Sequence, residues 1–187
     1  MSRGQIQNCL PGNEISDFAA TSSKDEWGKR AEKLFSEMQY ALAKDSFMRA
    51  NNTRKAAMAN AYALRDTAKK MPNHLGTTKT RPAAFESAAQ AFLVCARDAH
   101  ESGSDMYKTY HRLAAKCLEE ADNIVEAAEN YRIAEKFTQA ALLFRKSGKF
   151  DEAYDIIINH GDKVKREDLE IVKDVTRLYF LREKKFQ

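Results

Sequence analysis

The chain has 187 residues, 43% of them hydrophobic and 31% charged, with a formal net charge of +4 at pH 7. That balance belongs to a soluble globular protein of one domain or one run of repeats, long enough to bury a core. A membrane-spanning helix is not expected, because no apolar run approaches the roughly 20 residues that it needs to cross a bilayer.

Taken from the start, residues 1–22 hold no sustained period and contain the turn-prone Pro11-Gly12-Asn13, so they read as an irregular arm or a connection. Met1 to Leu10 has no hydrophobic stretch of the kind a secretory signal needs. Cys9, Cys95 and Cys117 are odd in number and far apart, the pattern of free, reduced thiols in an intracellular protein. Cytoplasm and nucleus are not distinguished. Ser23-Lys24-Asp25-Glu26 matches a capping box, in which the serine accepts from a backbone N–H and the glutamate reaches back. The pattern predicts helices from there to about Met38, from Tyr40 to Ala50 and from Thr53 to Lys70.

Residues 41–82 carry nine Lys or Arg against two Asp, a balance of +7 that leaves −3 for the remainder. On the third predicted helix, Arg54, Arg65 and Lys69 fall within an arc of about 60°, shared in part by Met58 and Tyr62. Such a strip suits an acidic partner or the phosphates of a strand, and equally a solvated face. Met71 to Pro82, with Pro72, Asn73, Gly76 and two threonines, cannot sustain a helix and reads as a loop inserted into the helical domain 23–187. Pro82 suits a first helical turn. Helices are predicted to about Glu101 and then from Ser104 to Ala121.

From Ala115 onward the chain repeats itself every thirteen residues. Ala115, Ala128 and Ala141 share one column, Leu118, Tyr131 and Phe144 the next, then Ala121, Ala134 and Ser147. Ile124, Phe137 and Phe150 follow, and Ala127, Ala140 and Ala153 close the unit. Apolar residues three apart draw one stripe on a helix, so each unit is one short helix and a turn. Helices this short are marginal alone and must stack, with small residues admitting close approach and large ones filling the grooves. Gly148 and Gly161 stand where a left-handed residue would end a helix. Ala31, Leu34, Tyr40 and Ala43, then Phe47, Ala50 and Ala56, fit the same template with Glu37 as the exception. The expected fold is all-α: an α-solenoid of short antiparallel helix pairs, tetratricopeptide-like, with about eight to nine helices. The last helix is predicted from Lys165 to Lys184, its stripe of Leu169, Val172, Val175, Leu178 and Tyr179 docking on the preceding repeat.

Catalytic chemistry is missing from the motifs. There is no phosphate loop, no paired-His zinc motif and no Cys-x-x-Cys, and His74, His100, His111 and His160 are scattered. His160 is placed to meet the carbonyls of a helix end. Glu119, Glu120, Glu167 and Asp168 fall on faces predicted to be exposed. The expectation is a chain with no catalytic, cofactor or metal residues of its own.

Several stretches also resemble a known family. Leu10-Pro11-Gly12-Asn13-Glu14 followed by Asp25-Glu26-Trp27, and Ala31 to Ala50 with Phe35, Tyr40, Ala43 and Phe47, come first. Ala84-Phe85-Glu86-Ser87-Ala88-Ala89, Ala91-Phe92, Ala127-Ala128-Glu129-Asn130-Tyr131 and Gly148-Lys149-Phe150-Asp151-Glu152-Ala153 continue the order. Asp162-Lys163-Val164 and Arg177-Leu178-Tyr179-Phe180 end it. In this order they resemble the helical-repeat segment of fungal UvrD-like helicase proteins, which are similar to the tetratricopeptide and ankyrin repeat-containing protein of animals. The resemblance implies an accessory repeat region of an ATP-dependent superfamily 1 helicase-like protein, with a protein partner or neighbouring domain, or a nucleic-acid strand, as its contact. No position matches the family's nucleotide-binding motifs, so no ATPase residue carries over.

Overall fold

The computed structural model describes residues 22–72 and 80–183, leaving out the side chains of Val175, Thr176, Phe180, Arg182 and Glu183. All but Ser22 of the expected arm, together with Cys9, His74 and residues 73–79 of the expected loop, lie outside the described residues. Among the described residues the chain forms nine α-helices and no strand. These are α1 (Lys24–Ser36), α2 (Tyr40–Arg49), α3 (Thr53–Lys70), α4 (Thr80–Glu101) and α5 (Met106–Glu120), then α6 (Ile124–Ile133), α7 (Phe137–Lys146), α8 (Phe150–His160) and α9 (Arg166–Glu183). A 3-10 turn at Gly161–Lys163 separates the last two. Ser23 caps α1 as a complete capping box, its Oγ accepting from Glu26 N and the Glu26 carboxylate accepting from Ser23 N. The start of α4 at Thr80 places Pro82 in the first turn and shortens the expected loop.

Two compact units divide the chain, Met1–Ala56 and Ala57–Gln187. In the first, α1 packs on α2. Across the second, packing runs from neighbour to neighbour: α4 on α5, α5 on α6, α6 on α7, α7 on α8, with α9 against both α7 and α8.

The period of thirteen has a backbone cause. Asp122, Glu135 and Gly148, thirteen residues apart, hold the left-handed conformation at φ 61°, 56° and 76°. The next residue in each case donates its N–H back to the carbonyl five positions earlier: Asn123 to Leu118, Lys136 to Tyr131 and Lys149 to Phe144, each at 2.8 Å. Each left-handed residue donates to the carbonyl three before it, completing a Schellman corner. The residue that closes one helix also opens the next, since the carbonyls of Asn123, Lys136 and Lys149 accept from the N–H of Ala127, Ala140 and Ala153. No residue is spare. The large column therefore ends each helix and the small column begins the next, and both are buried.

Unit one uses the same corner at Met38 (φ 60°) and Asn51 (φ 58°), where Gln39 donates to Leu34 and Asn52 to Phe47. Here the corner residues carry a Cβ, which in the left-handed region costs roughly 1 kcal/mol. Met38 is 69% exposed, so its side chain has little packing to lose. Met38→Gly is expected to raise the unfolding free energy by about 0.5–1 kcal/mol. Thermal unfolding followed by circular dichroism measures it, and an unchanged or lower midpoint would contradict the corner.

One expected corner is not formed. Gly161 lies at φ −61°, ψ −26°, in the right-handed region, because the chain continues as a 3-10 turn and then extends at Val164. Val164 enters the core, and Lys165 N donates to Thr138 Oγ1 at 3.1 Å, which leads α9 back across α7. Among the described residues the His160 ring makes no hydrogen bond to a helix-end carbonyl; it stacks on Phe137 at 3.9 Å between centroids, 19° apart.

Unit two holds two buried clusters. Phe85, Phe92, Leu113, Cys117 and Leu118 with Ala61, Ala68, Ala88 and Ala89 form the first. Tyr131, Phe137, Phe144, Ile156, Ile157 and Val172 with Ala115, Ala128, Ala140, Ala141 and Ala153 form the second. The stripe of α9 is only partly used. Leu169 and Val172 pack inward and Tyr179 meets Phe150 at 4.8 Å, but Leu178 is 67% exposed because no following helix covers it among the described residues.

Candidate functional site

Arg54 is an exposed residue of the first unit. Arg65 and Lys69, one turn apart on α3, come together in unit two at the edge of a cavity of about 280 Å³. A third cation, Lys116 of α5, faces the same space, as do the carboxylates of Glu119 and Glu120. Phe85, Cys117 and Tyr131 complete the lining from α4, α5 and α6.

Arg65 is held rather than free. Its guanidinium lies 4.7 Å from the Tyr62 ring centroid and 5.7 Å from that of Phe92, and these two rings meet edge to face at 5.2 Å. Tyr62 lies three residues before Arg65 on the same helix, which brings the two side chains onto one face. Stacking on two rings fixes a planar cation at little further entropic cost. The Nε of Arg65 is buried and makes no hydrogen bond among the described residues.

One of the carboxylates is already engaged. Glu120 pairs with Arg81 at 3.0 Å, and Arg81 lies over the Phe85 ring at 4.8 Å. Glu119, expected on an exposed face, is instead half-buried, and it lines the cavity together with Tyr131. Burial and then the charge of Glu119 hold the Tyr131 hydroxyl well above the ordinary tyrosine range. By contrast Arg65, Lys69 and Lys116 enter no ion pair among the described residues. Cys117, buried beside them, is pushed up to about 11 by burial, against the opposing pull of Arg65 and Lys69. Cys95 is likewise raised to about 11 by burial and by Asp98. Both thiols are buried and free, so neither presents a reactive thiolate.

Lys116, Glu119 and Tyr131 were not singled out as a site by the sequence, because the arc of one helix says nothing about which neighbours face it. A local sign did exist: Tyr131 occupies the large column of the repeat, where its hydroxyl requires a partner once buried.

A second cleft, about 600 Å³, opens between α4, α5 and α6. Leu93, Ala96, Arg97 and His100 form one side, Tyr107 and His111 the other, with Ile133 at the end. The Tyr107 ring meets His100 at 5.2 Å and His111 at 6.3 Å, edge to face. Asn130 donates its amide to the Glu126 carbonyl and accepts through Oδ1 from His111 Nδ1 at 2.8 Å. That assigns the proton of a neutral His111 to Nδ1.

Among the described residues no group of three or more His, Cys, Asp or Glu could hold a metal ion. No helix among them is long and apolar enough to cross a membrane. Compared with protein-family models, with curated proteins and with solved structures, the chain finds no match.

Proposed function

We propose that the chain is a non-catalytic, tetratricopeptide-like α-solenoid module that holds a protein partner or braces a neighbouring domain. In this reading it is an accessory region or fragment of a large helicase-like ATPase protein. One observation carries it. Large apolar side chains are exposed on four helices of unit two: Val94 on α4, Val125 and Ile133 on α6, Tyr154 and Ile158 on α8, and Ile171, Leu178 and Leu181 on α9. The intervening α7 exposes no large apolar residue, and α5 only Met106 at its first position. Stacked repeat helices offer extended exposed faces of this kind to protein partners. The helicase link is supported only by the order of the family-like stretches.

The second reading, a strand-contacting accessory segment of a UvrD-like helicase, rests on the basic excess at 41–82. Part of that excess is met by carboxylates outside the segment: Lys55 pairs with Glu32 and Arg81 with Glu120. Arg49 and Arg65 lie over the rings of Trp27 and Tyr62. Lys44, Arg49, Arg54, Arg65 and Lys69 enter no ion pair among the described residues, so a basic remainder is left for this second reading.

Affinity capture tests the protein-binding reading, comparing the chain with an Ile133→Glu/Ile158→Glu variant of unchanged helicity. A protein retained by the first and lost by the second is expected. Equal capture by both, or ATP hydrolysis by the purified chain, would sink the proposal.

A further inference from the structure

We infer that the cavity of Arg65, Lys69 and Lys116 is an acceptor for a carboxylate presented by an acidic peptide. This rests on the protein-interaction reading above and names the chemistry of one contact within it. Three cations from two helices face one space and enter no ion pair among the described residues; of the two carboxylates at its wall Glu120 is paired with Arg81, which leaves Glu119 alone against the three. The charge unmatched inside the cavity is therefore positive.

Size and lining narrow the occupant. About 280 Å³ is at the lower edge of the roughly 300–1,000 Å³ typical of small-molecule sites, so a side chain fits better than a cofactor. Phe85 and Tyr131 give the methylenes of a glutamate an apolar wall, and Arg65 presents a planar fork suited to a carboxylate. A strand is the poorer occupant. Its row of phosphates would run past Glu119 and Glu120, and strand binding needs a continuous basic track rather than one pocket. Preorganisation adds to the case, since Arg65 is already fixed over two rings.

The test uses the full chain and two fluorescein-labelled probes of equal charge, C-terminally amidated hexaglutamate and single-stranded hexathymidylate labelled through a 5′ phosphodiester, followed by anisotropy at low salt. Lys69→Ala/Lys116→Ala removes two exposed lysines from helices, where alanine is well tolerated. Lys136→Ala/Lys146→Ala removes the same charge from either end of α7. Hexaglutamate binding is expected to weaken by about tenfold or more in the first variant and by less than about twofold in the second. Amide shifts on adding N-acetylglutamate should centre on Cys117 and Tyr131. Absence of hexaglutamate binding, equal loss in both variants, or tighter binding of hexathymidylate lost in the first variant would each overturn the inference. Partner capture that survives Lys69→Ala/Lys116→Ala but not Ile133→Glu/Ile158→Glu would remove the pocket while leaving the interaction reading intact.

Discussion

Phe144→Ala is expected to lower the unfolding free energy by about 3–5 kcal/mol, near the upper end of what one side chain removes. The ring is 1% exposed and sits in the second buried cluster. Its surroundings explain the size of the effect. Five alanines, Ala115, Ala128, Ala140, Ala141 and Ala153, belong to the same cluster, and an alanine has no rotamer with which to move into a hole. Relaxation is therefore limited to backbone shifts, which the corner hydrogen bonds at Lys149 N and Lys136 N resist. The backbone acceptor at position 144 is retained in the variant, so the loss isolates packing from corner geometry. Urea unfolding followed by circular dichroism gives the magnitude. Hydrogen exchange gives the location, with α6 to α9 losing protection before α4 and α5. A loss below about 1 kcal/mol, inconsistent with cavity formation, would mean that the large column does not carry the core.

The repeat and the helices it generates were legible because burial and backbone corners share one period. Of the seven residues near the front that fit the same template, Ala31, Ala43, Phe47 and Ala56 are buried, while Leu34, Tyr40 and Ala50 are only partly so. Glu37, the exception to the pattern, is exposed. Most corners were not legible. Met38, Asn51, Asp122 and Glu135 hold the left-handed conformation without glycine, because the Schellman bonds and the start of the next helix determine the backbone there. Reading glycine as the marker found Gly148 and misplaced Gly161. The candidate site was half legible for a related reason. Arg65, Tyr62 and Lys69 share a helix and could be grouped by angle, whereas Lys116, Tyr131 and Arg81 reach them only through helix packing. Formal charge also overstated the basic surface, since ion pairs such as Arg81 with Glu120 span 39 residues.

Ala140→Leu tests the small column as Phe144→Ala tests the large one, and it is expected to cost about 1–3 kcal/mol. Ala43, Ala56, Ala127, Ala140 and Ala153 stand at the fourth helical position after each corner, with exposures between 0% and 3%. The N–H of Ala140 is bonded to the carbonyl of Lys136 at 3.0 Å, which fixes where its Cβ points. Because α7 packs on both α6 and α8, a larger side chain must displace a neighbour or the corner itself. Two comparisons separate this from other causes. Gln139→Leu adds the same side chain at an exposed position and should stay within about 0.5 kcal/mol. Ala140→Gly admits the same close approach and loses about 1–2 kcal/mol through helix propensity and one buried methyl. A leucine that costs more than the glycine and much more than Gln139→Leu shows that close approach is what the alanines supply. Equal effects at 139 and 140 would leave the small column without a packing role, and the thirteen-residue unit would then rest on its corners and its large residues alone.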